Sequence, residues 1–178
     1  MEILKKTIEG IEKINRESMI SKEKELNSLL KTPRGLGKME DLAIQLEGIK
    51  ENYTPDKKIV LVMAADNGVE AEKVSASKRV ITQYVVEAML SGNSSVNSLA
   101  VSFGADVKVV DLGIDSEKDF LGIINRKIMK NGTKNIRREN AMTKEQAVKA
   151  IETGIEIVDE LAEKGYNLFA LGEMGIGN

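Results

Sequence analysis

The chain has 178 residues, of which 42% are hydrophobic and 30% are charged, as in an ordinary globular domain. It contains neither cysteine nor histidine, which excludes disulfides, thiolate nucleophiles, histidine bases and the usual zinc ligands, so acid–base work falls to Asp, Glu, Lys or Tyr. A net charge of −2 with 3% aromatic residues does not fit a nucleic-acid-binding protein, so a small ligand or a protein partner is expected.

The first part of the chain, residues 1–54, predicts a helical arm. Isoleucine and leucine recur at three- and four-residue steps, so residues 1–31 are predicted to be helical, with Ser18 or Ser21 capping a second short helix. A further helix is expected over 38–50. The N-terminus lacks the apolar stretch of a signal peptide, and no apolar run is long enough to span a bilayer, so we expect a cytoplasmic protein.

Residues 55–178 predict an α/β core. Lys58–Ala65 is a continuous apolar run typical of a strand buried on both faces. Two further strands are predicted, over 106–112 and 167–171. Helices are expected between the strands, over 79–90, 94–103 and 143–164, the last opened by Thr143 and closed by Gly165.

The alternation of strands and helices predicts a parallel, Rossmann-like sheet with flanking helices. The last strand runs into a glycine-rich turn with no covering helix after it, so we interpret the sequence as a fold cut part-way through.

Polar and glycine residues follow the first and last predicted strands, at the edge where ligands bind in open α/β sheets. Asp66 could orient a ribose hydroxyl or a catalytic water, and it could equally accept hydrogen bonds in a turn. Gly172, Gly175 and Gly177 would let backbone N–H groups approach a phosphate. Their spacing alone favours a tight turn, because it is not that of a Walker A loop and lacks its lysine.

Other polar segments are weaker signals when taken singly. Ser75 and Gln83 could reach the same cleft if residues 70–78 form a loop over it. Residues 91–97 have the composition of a helix junction, and residues 131–136 that of a polar loop. Four basic residues could supply positive charge, although such pairs are usually solvated: Lys78, Arg79, Arg137 and Arg138.

Five stretches together, in this order, resemble one family. They are LKTPRGLGKMEDLAIQLEGI (30–49), VMAADNGVEAEKVSASKRVITQYV (62–85), SGNSSVNSLAVSFGADVKVVDLGID (91–115), NGTKNIRRENAMTKEQAVKAIETGIE (131–156) and LGEMGIGN (171–178). The sequence is similar to the nicotinate mononucleotide:5,6-dimethylbenzimidazole phosphoribosyltransferases over most of its length. The AADNGV–VSA and GEMGIGN segments are the most specific.

The resemblance implies a reaction and its partners. Ribose 5-phosphate would move from nicotinate mononucleotide to a benzimidazole nitrogen, giving α-ribazole 5′-phosphate and nicotinate for the lower ligand of cobalamin. The anomeric carbon would invert from β to α. The resemblance implies no metal and no redox cofactor, only small-molecule substrates and a homo-oligomer, expected to be a dimer.

The resemblance also implies roles for particular residues. Ser75 and Gln83 would lie near the benzimidazole, and Asp66 at the base of the cleft. The mononucleotide would contact five residues directly: Gly172, Glu173, Gly175, Gly177 and Asn178. Four others would have supporting roles: Asn93, Asn97, Gly132 and Thr133.

The sequence departs from the family in three places. The family's general base is a glutamate near the end of a longer chain, beyond the position of Asn178, so we expect this chain alone to be weakly active or inactive. Asn67 replaces a histidine of many relatives and Ser77 an aromatic residue, so adenine or a phenol is also conceivable as the acceptor. The alternatives are a non-catalytic nucleotide-binding protein, one subunit of a split transferase, or a structural fragment that dimerises.

Overall fold

The computed structural model describes residues 1–178 and divides the chain into two compact units. The smaller unit comprises Thr7–Pro55. The larger unit comprises Met1–Lys6 together with Asp56–Asn178. Its first residues are held by an ion pair between the Met1 ammonium group and Glu152, at 2.7 Å.

The N-terminal helices are shorter than the sequence predicts. Helix α1 spans Glu2–Glu9 and helix α2 spans Arg16–Ser28, so two helices are present as predicted, but the helical spacing predicted to continue through Ile11 and Ile14 was wrong, because both residues lie between the helices. Asn15 caps α2, because its Oδ1 accepts hydrogen bonds from the amides of the second and third helical residues at 3.0 and 3.2 Å. The expected caps, Ser18 and Ser21, lie inside the helix instead.

Helix α3 (Lys38–Ile49) follows a turn that a buried glutamate organises. Glu40 is 2% exposed and accepts hydrogen bonds from Lys31 Nζ at 3.0 Å and from the Leu36 amide at 3.1 Å. These two bonds, the backbone one most strongly, hold the pKa of Glu40 below its ordinary value. Residues 32–37, which include Pro33, therefore form an ordered turn that the hydrogen bonds of Glu40 hold in place.

The larger unit contains a four-stranded, wholly parallel sheet, which confirms the predicted α/β class. Its strands are β1 (Lys58–Ala65), β2 (Ala105–Gly113), β3 (Ile124–Asn125) and β4 (Leu168–Met174), in the order β3-β2-β1-β4. The sequence did not predict β3, because two residues carry no periodic signal. The predicted end of β4 at Leu171 was also wrong, because pairing with β1 continues to Met174.

Three helices and a 3-10 helix accompany the sheet. The helices are α4 (Ile81–Leu90), α5 (Ser95–Ser102) and α6 (Lys144–Glu163), and the 3-10 helix spans Gly68–Glu72. Thr143 and Gln146 form the reciprocal capping bonds that open α6, and Gly165 follows its end with φ of +89°, as predicted. None of the helices combines the length and apolar character needed to cross a membrane.

Strand β1 is buried on both faces, which explains its uninterrupted apolar sequence. Val62 and Ala64 pack in a cluster with Val86 of α4. Leu61, on the opposite face, packs in a second cluster with Ile157 of α6. The alternation places one helix on each side of the central strand, so the carboxyl end of β1 emerges in the middle of the sheet edge.

Candidate functional site

The segments that follow β1, β2 and β4 meet at one edge of the sheet, because the three strands are parallel. The Asp66 amide donates a hydrogen bond to the Gly113 carbonyl at 3.1 Å, and the Asn67 amide donates to the Ile176 carbonyl at 3.2 Å. The Thr133 amide donates to the Asp66 carbonyl at 2.9 Å. The structure thus brings the turn after β1, the 131–136 loop and the glycine-rich segment together.

Asp66 is the buried centre of this edge, with 1% of its surface exposed. Its Oδ1 accepts a hydrogen bond from Thr82 Oγ1 at 2.6 Å, and its Oδ2 accepts one from the Asp115 amide at 2.8 Å. Burial raises the pKa of Asp66 above its ordinary value, and these two bonds oppose the rise. Since both oxygens are engaged by the protein, the geometry favours an anchoring role over direct contact with a ribose.

A relay of hydrogen bonds connects Asp66 to the glycine-rich segment. Thr82 is fully buried, donates its hydroxyl proton to Asp66, and accepts a hydrogen bond from the Ile176 amide at 3.1 Å. We call this set the Asp66–Thr82–Ile176 relay. Sequence analysis did not identify Thr82. A polar residue among apolar ones in the first turn of α4 is the signal that could have found it.

Three glycines allow the segments to approach backbone to backbone. A Cβ on Gly175 would lie 1.8 Å from the Ala65 carbonyl oxygen, and one on Gly132, which has φ of +76°, would lie 2.2 Å from the Asp66 oxygen. A Cβ on Gly68 would lie 2.5 Å from the Thr133 carbonyl oxygen. Such separations are far shorter than real Cβ atoms allow, so each of these positions requires glycine.

The remaining residues of the C-terminal segment are distributed between strand and turn. Gly172 and Glu173 lie within β4, opposite Val62 and Met63 of β1, so they are not part of the turn that the sequence predicted. The exposed Glu173 carboxylate accepts hydrogen bonds from Asn178 Nδ2 on both oxygens, at 2.6 Å. Gly177 has φ of +93°, as a turn glycine would.

Ser75 and Gln83 are half-buried on the segment that includes the start of α4. Ser75 Oγ accepts a hydrogen bond from the Ser77 amide at 3.1 Å. Gln83 follows Thr82 directly and accepts a hydrogen bond from Ser116 Oγ at 3.2 Å, which ties it to the loop after β2. Their contact with a heterocycle stays a prediction.

Asn93 and Asn97 lie at the junction of α4 and α5. Asn93 Nδ2 donates to Ser91 Oγ at 3.2 Å, and Asn97 Oδ1 accepts from Ser94 Oγ at 2.5 Å. These side-chain bonds are local, and none connects the two asparagines with the strand-end segments. Their supporting role in mononucleotide binding also stays a prediction.

Arg79 joins three of the segments, a role that sequence analysis missed by assigning it to solvated surface. Its Nη1 lies 2.9 Å from Asp115 Oδ2 and donates to the Asn131 carbonyl at 3.4 Å, while Nη2 donates to the Asn67 carbonyl at 3.4 Å. Its Nε is buried without a hydrogen-bond partner. A guanidinium has enough donors to connect three acceptors at once, which a lysine could not do in a fixed plane.

The 131–136 loop is fastened to the 3-10 helix by a second cluster. Asn135 Nδ2 and Arg138 Nε both donate to Glu72 Oε1, at 2.7 and 2.8 Å. The Asn135 bond first, then the Arg138 bond, lowers the pKa of Glu72. Gly132 and Thr133 are therefore held beside Asp66 from both ends of their loop.

Comparison with known proteins identifies the family. A family model described as a phosphoribosyltransferase matches residues 11–178, nearly the whole chain. The chain belongs to this phosphoribosyltransferase family. The resemblance drawn from the sequence is thus confirmed.

Several relatives of the chain share a name. A nicotinate-nucleotide–dimethylbenzimidazole phosphoribosyltransferase of Clostridium perfringens is 44% identical over 178 residues, covering 99% of this chain and 49% of the relative. One from Ruminiclostridium cellulolyticum is 47% identical over 174 residues, covering 96% and 49%. The crystal structure of the Thermus thermophilus protein of that name superposes with a TM-score of 0.85 at 34% identity, covering 93% and 51%. The chain spans about half the length of the curated relatives it matches.

Replacing Gly175 with alanine tests the backbone-to-backbone packing at this edge of the sheet. Gly175→Ala is expected to lower the free energy of unfolding by about 1–3 kcal/mol, because the added methyl group overlaps the Ala65 carbonyl. The matched control is Gly154→Ala in α6, where a Cβ meets nothing within 4 Å. That change is expected to stabilise by about 0.5–1 kcal/mol. Urea unfolding measures both, and a Gly175→Ala variant as stable as the control would contradict the packing described.

The raised pKa of Asp66 predicts a pH dependence of stability. Between the ordinary pKa of an aspartate and the higher pKa of folded Asp66, the folded chain keeps a proton that the unfolded chain has released. The free energy of unfolding, measured relative to the Asp66→Asn variant, should therefore decrease as the pH rises through that window. Urea unfolding of both proteins from pH 3 to pH 7 measures this difference. A difference that increases with pH would mean that the pKa is lowered.

Proposed function

We propose that this chain forms the mononucleotide-binding part of a nicotinate-nucleotide–dimethylbenzimidazole phosphoribosyltransferase. The whole enzyme would transfer ribose 5-phosphate from nicotinate mononucleotide to a benzimidazole nitrogen and release nicotinate. The observation that carries this proposal is the glycine-rich segment at the carboxyl edge of the sheet, connected with Asp66 through Thr82. The names of the relatives support the choice of reaction.

The edge offers what a sugar phosphate needs for positioning. Backbone amides beside glycines can approach a phosphate closely, and their dipoles favour a negative charge. The Gly177 amide has no acceptor within the chain, so it remains available to a ligand. Because the pyridinium of the mononucleotide is a good leaving group, a fixed phosphate and ribose supply most of what the transfer requires, through orientation.

The transfer also requires a base to accept the proton of the attacking heterocycle. Three carboxylates at this edge already have partners: Asp66 bonds Thr82 and an amide, Asp115 pairs with Arg79, and Glu173 bonds Asn178. We therefore propose that none of them is the general base. This supports the expectation, drawn from the family, of a glutamate outside residues 1–178.

The same observation favours a second candidate, in which the chain binds the nucleotide without completing the reaction by itself. It would then act as a binding protein or as one subunit of a split transferase. Incubation with nicotinate mononucleotide and dimethylbenzimidazole, followed by chromatography, separates the two. Rapid formation of α-ribazole 5′-phosphate by the 178-residue chain would refute the second candidate.

Titration calorimetry with nicotinate mononucleotide tests the proposed function. Saturable binding with one site per chain is expected, and nicotinic acid riboside, which lacks the phosphate, should bind at least tenfold more weakly. Gly177→Ala should weaken mononucleotide binding. The control is Gly104→Ala at the opposite end of the sheet, which also has positive φ, +61°, and nothing within 4 Å. Equal affinities for the nucleotide and the riboside would overturn the proposal.

We also propose that the chain associates with a second copy of itself. Strand β4 is the outer strand of the sheet, and its Leu171 side chain is 77% exposed. An outer strand presents unpaired backbone groups, and a neighbouring apolar side chain favours pairing with another chain. Light scattering is expected to report a dimer, and Leu171→Lys should shift it towards monomer. A monodisperse monomer for the unaltered chain would count against the proposal.

A further inference from the structure

The peptide groups on either side of Ile176 are held from two directions. The Ile176 amide donates to Thr82 Oγ1 at 3.1 Å, and the Ile176 carbonyl accepts from the Asn67 amide at 3.2 Å. These contacts are made where solvent hardly enters, since Thr82 is fully buried and Asp66 is 1% exposed. Water therefore cannot easily replace the hydrogen bond between the Ile176 amide and Thr82.

The direction of the Gly177 amide follows from these contacts. The Ile176 carbonyl and the Gly177 N–H belong to the same peptide unit, and the chain has no cis peptide bond. In a trans peptide the C=O and N–H bonds point in opposite directions. Because the carbonyl points at the Asn67 amide, the Gly177 N–H points away from Asn67, and it has no acceptor in the chain.

The contacts of Thr82 fix the direction of its hydroxyl proton. A backbone N–H can only donate, so the hydroxyl oxygen accepts from the Ile176 amide, and its single proton is directed at Asp66 Oδ1 at 2.6 Å. One threonine thus joins the buried Asp66 side chain to the backbone of the glycine-rich segment.

We propose that Thr82 is a positioning residue that orients the Gly177 amide towards the phosphate of the mononucleotide, an inference that rests on the proposed function. Thr82 makes no contact with the ligand and acts through Ile176. Loss of the hydroxyl releases the peptide group between Gly175 and Ile176, which leaves the Asn67 contact as the single restraint on the Ile176–Gly177 peptide, so the Gly177 donor is held less firmly. Loss of the hydroxyl therefore weakens binding of the phosphate and leaves binding of the heterocycle unchanged.

The experiment compares Thr82→Val, which keeps the shape and removes the hydroxyl, with Thr82→Ser, which keeps the hydroxyl. Thr153→Val is the matched control, since Thr153 is also buried, at 1% exposure, but lies within α6. Calorimetry measures the Kd for nicotinate mononucleotide and for its riboside. Amide hydrogen exchange, followed by NMR in the ligand-free chain, reports on Ile176 directly.

Thr82→Val is expected to weaken nucleotide binding about tenfold, to change riboside binding by less than threefold, and to speed exchange of the Ile176 amide at least tenfold. Thr82→Ser should restore all three values, and Thr153→Val should change none. Unchanged nucleotide affinity in Thr82→Val would overturn the positioning role. An equal loss of affinity for the riboside would also overturn it, because the effect would then not act through the phosphate.

Two further results separate this inference from the proposed function. Failure of the unaltered chain to bind the nucleotide would overturn the proposed function and the positioning role that rests on it. The exchange data would still decide whether the Thr82–Ile176 contact exists. If Thr82→Val does not fold, the unaltered chain and Thr82→Ser suffice: an unprotected Ile176 amide in the unaltered chain, or a tenfold loss of affinity in Thr82→Ser, would overturn the inference.

Discussion

Asp66 is a buried carboxylate whose two oxygens accept hydrogen bonds from two different parts of the chain, and the arrangement of the sheet edge depends on it. Thr82 binds one oxygen and the Asp115 amide binds the other. Burial of a polar group is unfavourable unless hydrogen bonds compensate for the lost water, so Asp66 is stable in this position only while the start of α4 and the turn after β2 stay in place. The backbone carbonyl of the same residue holds Thr133.

Backbone packing at two glycines and the contacts of Arg79 also hold the segments of this edge together. Gly175 and Gly132 bring their segments within contact of the β1 end, where any larger residue would collide with a carbonyl. Arg79 then spans Asn67, Asp115 and Asn131 with one planar group. Three different means fix the parts of this edge: a hydrogen-bonded carboxyl group, steric contact, and a guanidinium bound to three acceptors.

The sequence predicts the sheet well and the contacts of the site poorly, for physical reasons that particular residues illustrate. The apolar run Lys58–Ala65 and the start of α6 at Thr143 are local signals, and both were predicted correctly. The roles of Thr82 and Arg79 were missed, because their partners are distant in sequence and become neighbours only in the folded sheet. Asn15 was missed as a cap because the apolar residues around it continue the helical spacing without forming a helix.

The sequence separation of its parts constrains how this edge folds. Thr82 and Ile176 are 94 residues apart, and β1 pairs with β4 only after the whole intervening stretch has been synthesised. Closing so long a loop loses chain entropy before any contact stabilises the structure, so parallel pairings of this kind form slowly. Until β4 docks, the Ile176 amide cannot reach Thr82, so the glycine-rich segment joins this edge only with the β1–β4 pairing.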